Sequence, residues 1–100
     1  MRAYETKEAR SDRQLLLRSY TKAIPSKLEC FVNDLLDAPR KLHTVGNPKQ
    51  LKHVGKEMWL RRLTVKDCIV YGIEHGANYN MPEEAEIIVF YQYLGHYQDT

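Results

Sequence analysis

One hundred residues, 43% of them apolar and 28% charged, with a net charge of +2, make one domain spanning 1–100, near the lower size at which a core sustains itself. No apolar run nears the ~20 residues of a membrane helix, and residues 1–20 show no apolar leader, so a cytoplasmic setting with no membrane contact is expected. Two cysteines, Cys30 and Cys68, give neither a disulfide framework nor metal-ligand spacing, so no metal and no other cofactor is expected.

In chain order, Arg2-Ala3-Tyr4-Glu5 is a weak candidate for a short edge strand. Thr6 precedes Lys7-Glu8-Ala9, a helix start, and Asp12, Leu16 and Tyr20 follow at four-residue spacing, so this first helix has a thin apolar face. The second helix is stronger. Ile24, Leu28, Phe31, Val32, Leu35 and Leu36 fall on one side of a 3.6-residue period. Ser26 and Glu29 have capping-box spacing, Pro25 is tolerated at a helix start, and Pro39 disfavours helix at Ala38. Cys30 points away from the apolar stripe.

Residues 40–56 read as a loop or short extended segment, with turn signals at Gly46-Asn47-Pro48 and Gly55. Strands are predicted at about 57–64, 67–74 and 86–95, the first two joined by a tight hairpin at Val65-Lys66. The stretch from His75 to Ala85 reads as a long hairpin loop. In the last strand Ile87, Val89, Tyr91 and Tyr93 face one way and Ile88, Phe90, Gln92 and Leu94 the other; both faces are largely apolar, which marks a central strand. Trp59 is read as a core anchor between helix and sheet, and Tyr91 and Tyr93 as packing residues. The predicted fold class is α+β, with two N-terminal helices packed on one face of a small twisted antiparallel β-sheet. The other face is left for function.

Charge is segregated along the chain. Residues 40–66 carry Arg40, Lys41, Lys49, Lys52, Lys56, Arg61, Arg62 and Lys66 against Glu57 alone, whereas residues 67–100 contain six acids and no Lys or Arg. A concentrated basic segment is the usual footprint of polyanion binding, the alternative being a solvated surface. The last strand ends on His96-Tyr97, an imidazole and a phenol able to move protons or contact a phosphate near neutral pH. Together they suggest a protein that brings proton-transfer groups to an RNA backbone.

Four ordered blocks are recognisable: Gly46-Asn47-Pro48-Lys49-Gln50-Leu51-Lys52-His53, Trp59-Leu60-Arg61-Arg62-Leu63, Asp67-Cys68-Ile69-Val70-Tyr71 and Gly95-His96-Tyr97. From about residue 27 onward the chain resembles the YoeB/Txe family of toxins, a branch of the RelE/ParE superfamily of bacterial toxin–antitoxin modules. The loop near residues 75–85 is longer than is usual for that family. The resemblance implies a ribosome-dependent endoribonuclease that cuts mRNA in the 30S A site by metal-free attack of a 2′-hydroxyl, and that a cognate antitoxin protein neutralises. Many relatives form homodimers, and the sequence leaves the oligomeric state open.

Position by position, the resemblance makes His96 and Tyr97 acid/base and substrate-placing residues, and Lys52 and Arg62 phosphate contacts. Arg61 and His53 are basic neighbours expected to touch RNA. Two positions depart from the pattern. Lys49 stands where the family has a glutamate base, and is kept in the catalytic set because the RelE branch works with lysines, arginines and a tyrosine. Cys68 stands where the family has an arginine against the phosphate, and cannot supply its charge or its five N–H donors. Arg61 or Arg62 could stand in, but neighbours on a strand face opposite ways, so only one of them can. Two other readings follow: a weakened homologue acting through antitoxin binding and promoter co-repression, and, less favoured, a ParE-like gyrase inhibitor on the same fold.

Overall fold

The structure, a computed structural model, describes residues 2–19, 23–40, 48–51, 57–82 and 84–95. Among these the elements run β1 (Arg2–Glu5), α1 (Lys7–Ser19), α2 (Ala23–Asp37), β2 (Lys49–Gln50), β3 (Met58–Arg62), β4 (Cys68–His75), a 3-10 turn (Gly76–Tyr79) and β5 (Glu86–Gln92). One five-stranded sheet has the order β1-β5-β4-β3-β2. The α+β architecture, with helices on one face, is as the sequence predicts. One pairing is different: β1 runs parallel to β5, so the sheet is mixed rather than purely antiparallel.

Thr6 ends β1 and caps α1, its Oγ1 accepting the Ala9 N–H at 3.1 Å. The thin face of α1 buries Ala9 and Leu16. Asp12, on the same line, turns its carboxylate to the sheet, where Oδ2 accepts the N–H groups of Tyr93 and Leu94 at 3.0 and 3.3 Å. α2 begins at Ala23, so Ser26 lies inside the helix and not at its cap. Pro25 is harmless in the first turn, where an N–H would have no intrahelical partner. The helix stops before Pro39 as expected and buries Leu28, Phe31 and Leu35.

Those side chains meet Trp59, Leu63, Ile69, Tyr71, Ile73, Ile88, Phe90 and Tyr93 in the main core. Trp59 is the anchor its sequence suggests, with Nε1 donating to Glu57 at 2.9 Å. Tyr93 does pack, but on the helix side, not beside Val89 and Tyr91. The cause is a β-bulge. Tyr71 pairs with Phe90 and Val70 with Gln92, so β5 carries one extra residue and its alternation inverts. Tyr91 stays on the open face with Leu51, Met58 and Val70.

Two ion-pair clusters tie the layers together, the first part-buried and the second exposed. Arg13 grips Glu5 at 2.8 and 3.0 Å, and Tyr93 donates its hydroxyl to Glu5 at 2.8 Å, which joins β1, α1 and the end of β5. Arg40 reaches Glu57 at 2.7 Å and Glu86 at 2.6 Å, fastening the end of α2 to the sheet. The Arg13 guanidinium holds the Glu5 carboxyl below its ordinary value against the opposing effect of burial. Arg40 does the same to Glu57 and Glu86. A carboxyl depressed on folding contributes stability above its unfolded value, near 4.5, and loses it as the pH falls through the folded value. The urea midpoint is therefore expected to drop progressively below pH 4.5. Arg40→Met should flatten that acid limb and lower the midpoint only slightly at pH 7, because the pairs are open to solvent.

Candidate functional site

The face of the sheet away from the helices is polarised. Along β3, Met58, Leu60 and Arg62 point to it; on β4 their partners are Gly72, Val70 and Cys68. At one corner Arg62 is exposed and stands directly opposite Cys68. Lys49, exposed on the edge strand β2, is level with Leu60, which puts its Cβ diagonal to that of Arg62 at roughly 7–8 Å. At the far end of β4, about 20 Å away at strand rise, Glu74 accepts hydroxyls from Tyr91 and from Tyr79, the latter at 3.1 Å. The Tyr79 ring in turn lies 4.7 Å from that of Tyr4. Burial first, and then the Glu74 carboxylate, push the Tyr91 phenol well above its ordinary 10, which keeps it a donor.

The cationic corner is shaped by the β3–β4 turn. Leu63 and Thr64 donate their N–H groups to the Asp67 carbonyl at 2.9 and 3.1 Å. Thr64 Oγ1 donates to Asp67 Oδ2 at 2.9 Å and accepts the Asp67 N–H at 3.0 Å. Arg62 Nη1 donates to the Val65 carbonyl at 2.9 Å, which sets its guanidinium over the turn. The chain leaving β5 comes to the same place. Gly95 donates its N–H to Asp67 Oδ1 and accepts that of Cys68, both at 2.9 Å. Gln92 Nε2 adds a third bond, to the Gly95 carbonyl at 2.9 Å.

Of the residues singled out from the sequence, Lys49, Arg62 and Cys68 meet at this corner. His96, Tyr97, Lys52 and His53 lie outside the described residues. Arg61 is a correction. Expected to touch RNA, it is 0% exposed on the helix side, where Nη1 donates to Asp34 at 2.6 Å and the guanidinium sits 6.0 Å from the Tyr71 ring. Its alternation with Trp59 and Leu63 forces that placement. Arg40, part of the same basic segment, is likewise committed to Glu57 and Glu86. The choice between Arg61 and Arg62 opposite position 68 thus falls to Arg62.

The sequence reading gives Thr64 and Asp67 no role at the site, although a Thr and an Asp three residues apart in a predicted hairpin are a usable turn signal. Cys68 is 2% exposed. Among the described residues no group of three His, Cys, Asp or Glu is placed to hold a metal ion, and no helix is long and apolar enough to cross a membrane. Two concavities lie away from the corner: an apolar groove of about 310 Å³ between α1 and α2, and a hollow of about 430 Å³ bordered by Glu57, Glu74 and Glu86.

No family model matches the chain. No curated protein matches it either. Solved structures do. A YoeB/ParE toxin from Agrobacterium tumefaciens superposes with a TM-score of 0.77 at 20% identity, over 97% of this chain and 100% of that one. The YoeB dimer from Staphylococcus aureus gives 0.73 at 16% identity, over 97% and 98%. The heterotetrameric YoeB-YefM toxin–antitoxin complex from the same organism gives 0.72 at 16% identity, with the same coverage. The chain has the fold of the YoeB/ParE toxins.

Proposed function

We propose that the chain is the toxin of a toxin–antitoxin module, a ribosome-dependent endoribonuclease that cuts mRNA in the A site without a metal. The observation that carries this reading is the corner where Arg62 faces Cys68 and where Gly95, bonded to His96, is held. It brings the one arginine of β3 on the open face beside the chain that leads into His96-Tyr97.

The chemistry needs three things. The 2′-hydroxyl must lose its proton as it attacks phosphorus, the charge gathering on the phosphate must be met, and the departing 5′-oxygen must gain a proton. His96, whose side-chain type exchanges a proton near neutral pH, and Tyr97 serve the two proton transfers. Arg62 meets the phosphate with a planar, permanently charged fork. Lys49 adds a basic side chain diagonal to it, and Lys52 and His53 extend the contact along the RNA. The YoeB-YefM complex supports an antitoxin partner and the YoeB dimer a homodimer; the basic segment suits an acidic antitoxin stretch that folds on binding. An mRNA substrate on the 30S A site fits a cytoplasmic place of action.

Expression without the antitoxin is expected to arrest growth, with primer extension showing cuts at A-site codons. The double variant His96→Ala, Tyr97→Ala should lose cleavage by about 10²–10⁴-fold, the range for general acid–base catalysis. Undiminished cleavage in that variant would remove the assignment. Cys68, buried where the family carries arginine, favours a second reading: a weakened homologue that chiefly binds its antitoxin. That reading holds if the natural chain is inert and Lys49→Glu with Cys68→Arg makes it toxic. DNA damage without mRNA cleavage would point instead to gyrase.

A further inference from the structure

We propose that the outer edge of β1 takes a second copy of this chain, the two β1 strands pairing antiparallel about Tyr4 into one continuous sheet. This surface serves the homodimer of the toxin reading, on which it rests, and depends on nothing in RNA cleavage. The two end strands of the sheet, β1 and β2, differ as edges. β2 is two residues long and carries Lys49, a short and charged edge of the kind that resists pairing. β1 has four residues with no proline and no bulge, and its central Ala3 and Tyr4 are exposed. The parallel ladder identifies its free backbone groups. Thr6 donates its N–H to the Phe90 carbonyl at 2.9 Å, while Glu5 is level with Phe90. Successive residues of a strand turn their backbone groups to alternate sides, so Arg2 and Tyr4 also face β5. Ala3 and Glu5 then face outward, and among the described residues no strand pairs with them there.

Side-chain alternation fixes the register. A two-fold axis normal to the sheet keeps both helix layers on one side, so residues opposite each other must point the same way. Glu5 turns to the helix layer, where Arg13 and Tyr93 hold it, and Ala3 shares its side; Arg2 and Tyr4 face away. Centring on Tyr4 sets Ala3 against Glu5 of the second copy twice, with four N–H···O=C bonds, whereas centring on Ala3 gives two between described residues. The Tyr4 residues then meet at the axis, where backbones of an antiparallel pair lie about 4.5 Å apart. Each ring is already seated, 4.7 Å from that of Tyr79, whose hydroxyl donates to Glu74 at 3.1 Å. The turn bearing Tyr79 is tightly wound: a Cβ on Gly76 would meet the Pro82 carbonyl oxygen at 2.6 Å. Four aromatic rings therefore line the seam. Arg2 lies diagonal to Tyr4 of the second copy, at roughly 7–8 Å, within reach of its ring face. No like charges fall opposite one another, and a second copy supplies the matching, supported tyrosine at the axis. Both Arg62 corners stay on the open face, two strands removed from β1. So small a seam makes a reversible dimer, not an obligate one.

Sedimentation velocity on the full chain, from micromolar to millimolar concentration, should show a monomer–dimer equilibrium. Ala3→Pro removes a donor that the monomer leaves unpaired, and proline is tolerated on an edge strand, so the fold should survive. Self-association should weaken by about 30-fold or more, the effect of losing two of the four hydrogen bonds. Tyr4→Lys and Tyr4→Glu each set like charges against one another at the axis, and each alone should be monomeric. Mixed, the two variants should form a one-to-one heterodimer, because position 4 meets position 4. That mixture decides the matter if Ala3→Pro does not fold.

A chain that stays monomeric to millimolar concentration would overturn the proposal. So would a dimer that Ala3→Pro and both Tyr4 variants leave intact, since it would use another surface, or a mixture of the Tyr4 variants that fails to pair. An antitoxin segment that pairs with β1 while the chain alone stays monomeric would overturn it equally. A dimer that behaves as described yet cuts no RNA would sink the ribonuclease reading alone, and cleavage by a strictly monomeric chain would sink the dimer alone.

Discussion

Asp34→Ala is expected to destabilise the chain by about 3–5 kcal/mol, the cost of leaving a buried charge without its counter-ion. Asp34 lies toward the end of α2, and its side chain is about one-third exposed, a site where truncation normally changes stability by less than ~0.5 kcal/mol. Its partner changes the outcome. Arg61 is enclosed by the main core, and after losing Asp34 it would keep, among the described residues, a long contact to the Ala38 carbonyl, 3.4 Å, and the face of Tyr71. Its Nε has no acceptor among the described residues. Against the 5–15 kcal/mol that holds a typical domain together, such a loss is large. Urea unfolding at pH 7 measures it. Replacing both partners, Asp34→Leu with Arg61→Met, should recover most of the loss, because the apolar pair needs no counter-charge. A cost below about 1 kcal/mol for Asp34→Ala would mean that Arg61 is not enclosed as described.

The second large effect is on the chemistry. Arg62→Ala should reduce RNA cleavage by about 10²–10³-fold per folded molecule, the usual loss for one preorganised donor to a developing oxyanion. The position opposite is a cysteine, and the neighbouring Arg61 is sealed on the other side of the sheet. No second arginine of β3 or β4 can take over. Arg62→Lys should recover only part of the rate, since an ammonium lacks the planar fork. Stability should barely move, because Arg62 is exposed and its side chain makes one hydrogen bond among the described residues, to the Val65 carbonyl. Cleavage rates on ribosome-bound mRNA check both variants. An Arg62→Ala chain as active as the natural one would take phosphate contact away from this corner.

These outcomes show where the sequence was readable. The stripe of Leu28, Phe31 and Leu35, the stop at Pro39 and the anchoring Trp59 are local patterns, and each lies where its pattern put it. The parallel pairing of β1 was not readable, because its partner stands 85 residues away and four short residues carry no orientation. Tyr93 was assigned to the wrong face because a bulge is decided by the pairing across to Val70 and Tyr71, not by β5 alone. Arg61 is legible, although the charge run around it is the more conspicuous pattern. The alternation Trp59, Arg61, Leu63 already placed it among core side chains, and Asp34 on the facing helix was the carboxylate it required. At the site, Lys49, Arg62 and Cys68 came from the family resemblance, whereas the contact between Asp67 and Gly95 joins residues 28 apart and has no local signature beyond its turn.

The strand order has a consequence for how the molecule is built. β5 is the last of the described elements, yet it lies inside the sheet, between the first strand and the fourth. Until it inserts, β1 has no neighbour, Phe90 and Ile88 are missing from the core, and Asp67 has no Gly95 to hold. Early hairpin formation between β3 and β4 gives only a platform, and closure waits on contacts of long sequence separation, the slow kind. A partly made or partly folded chain therefore lacks the completed corner: closure of the sheet and arrival of Gly95 beside Asp67 and Cys68 are one event.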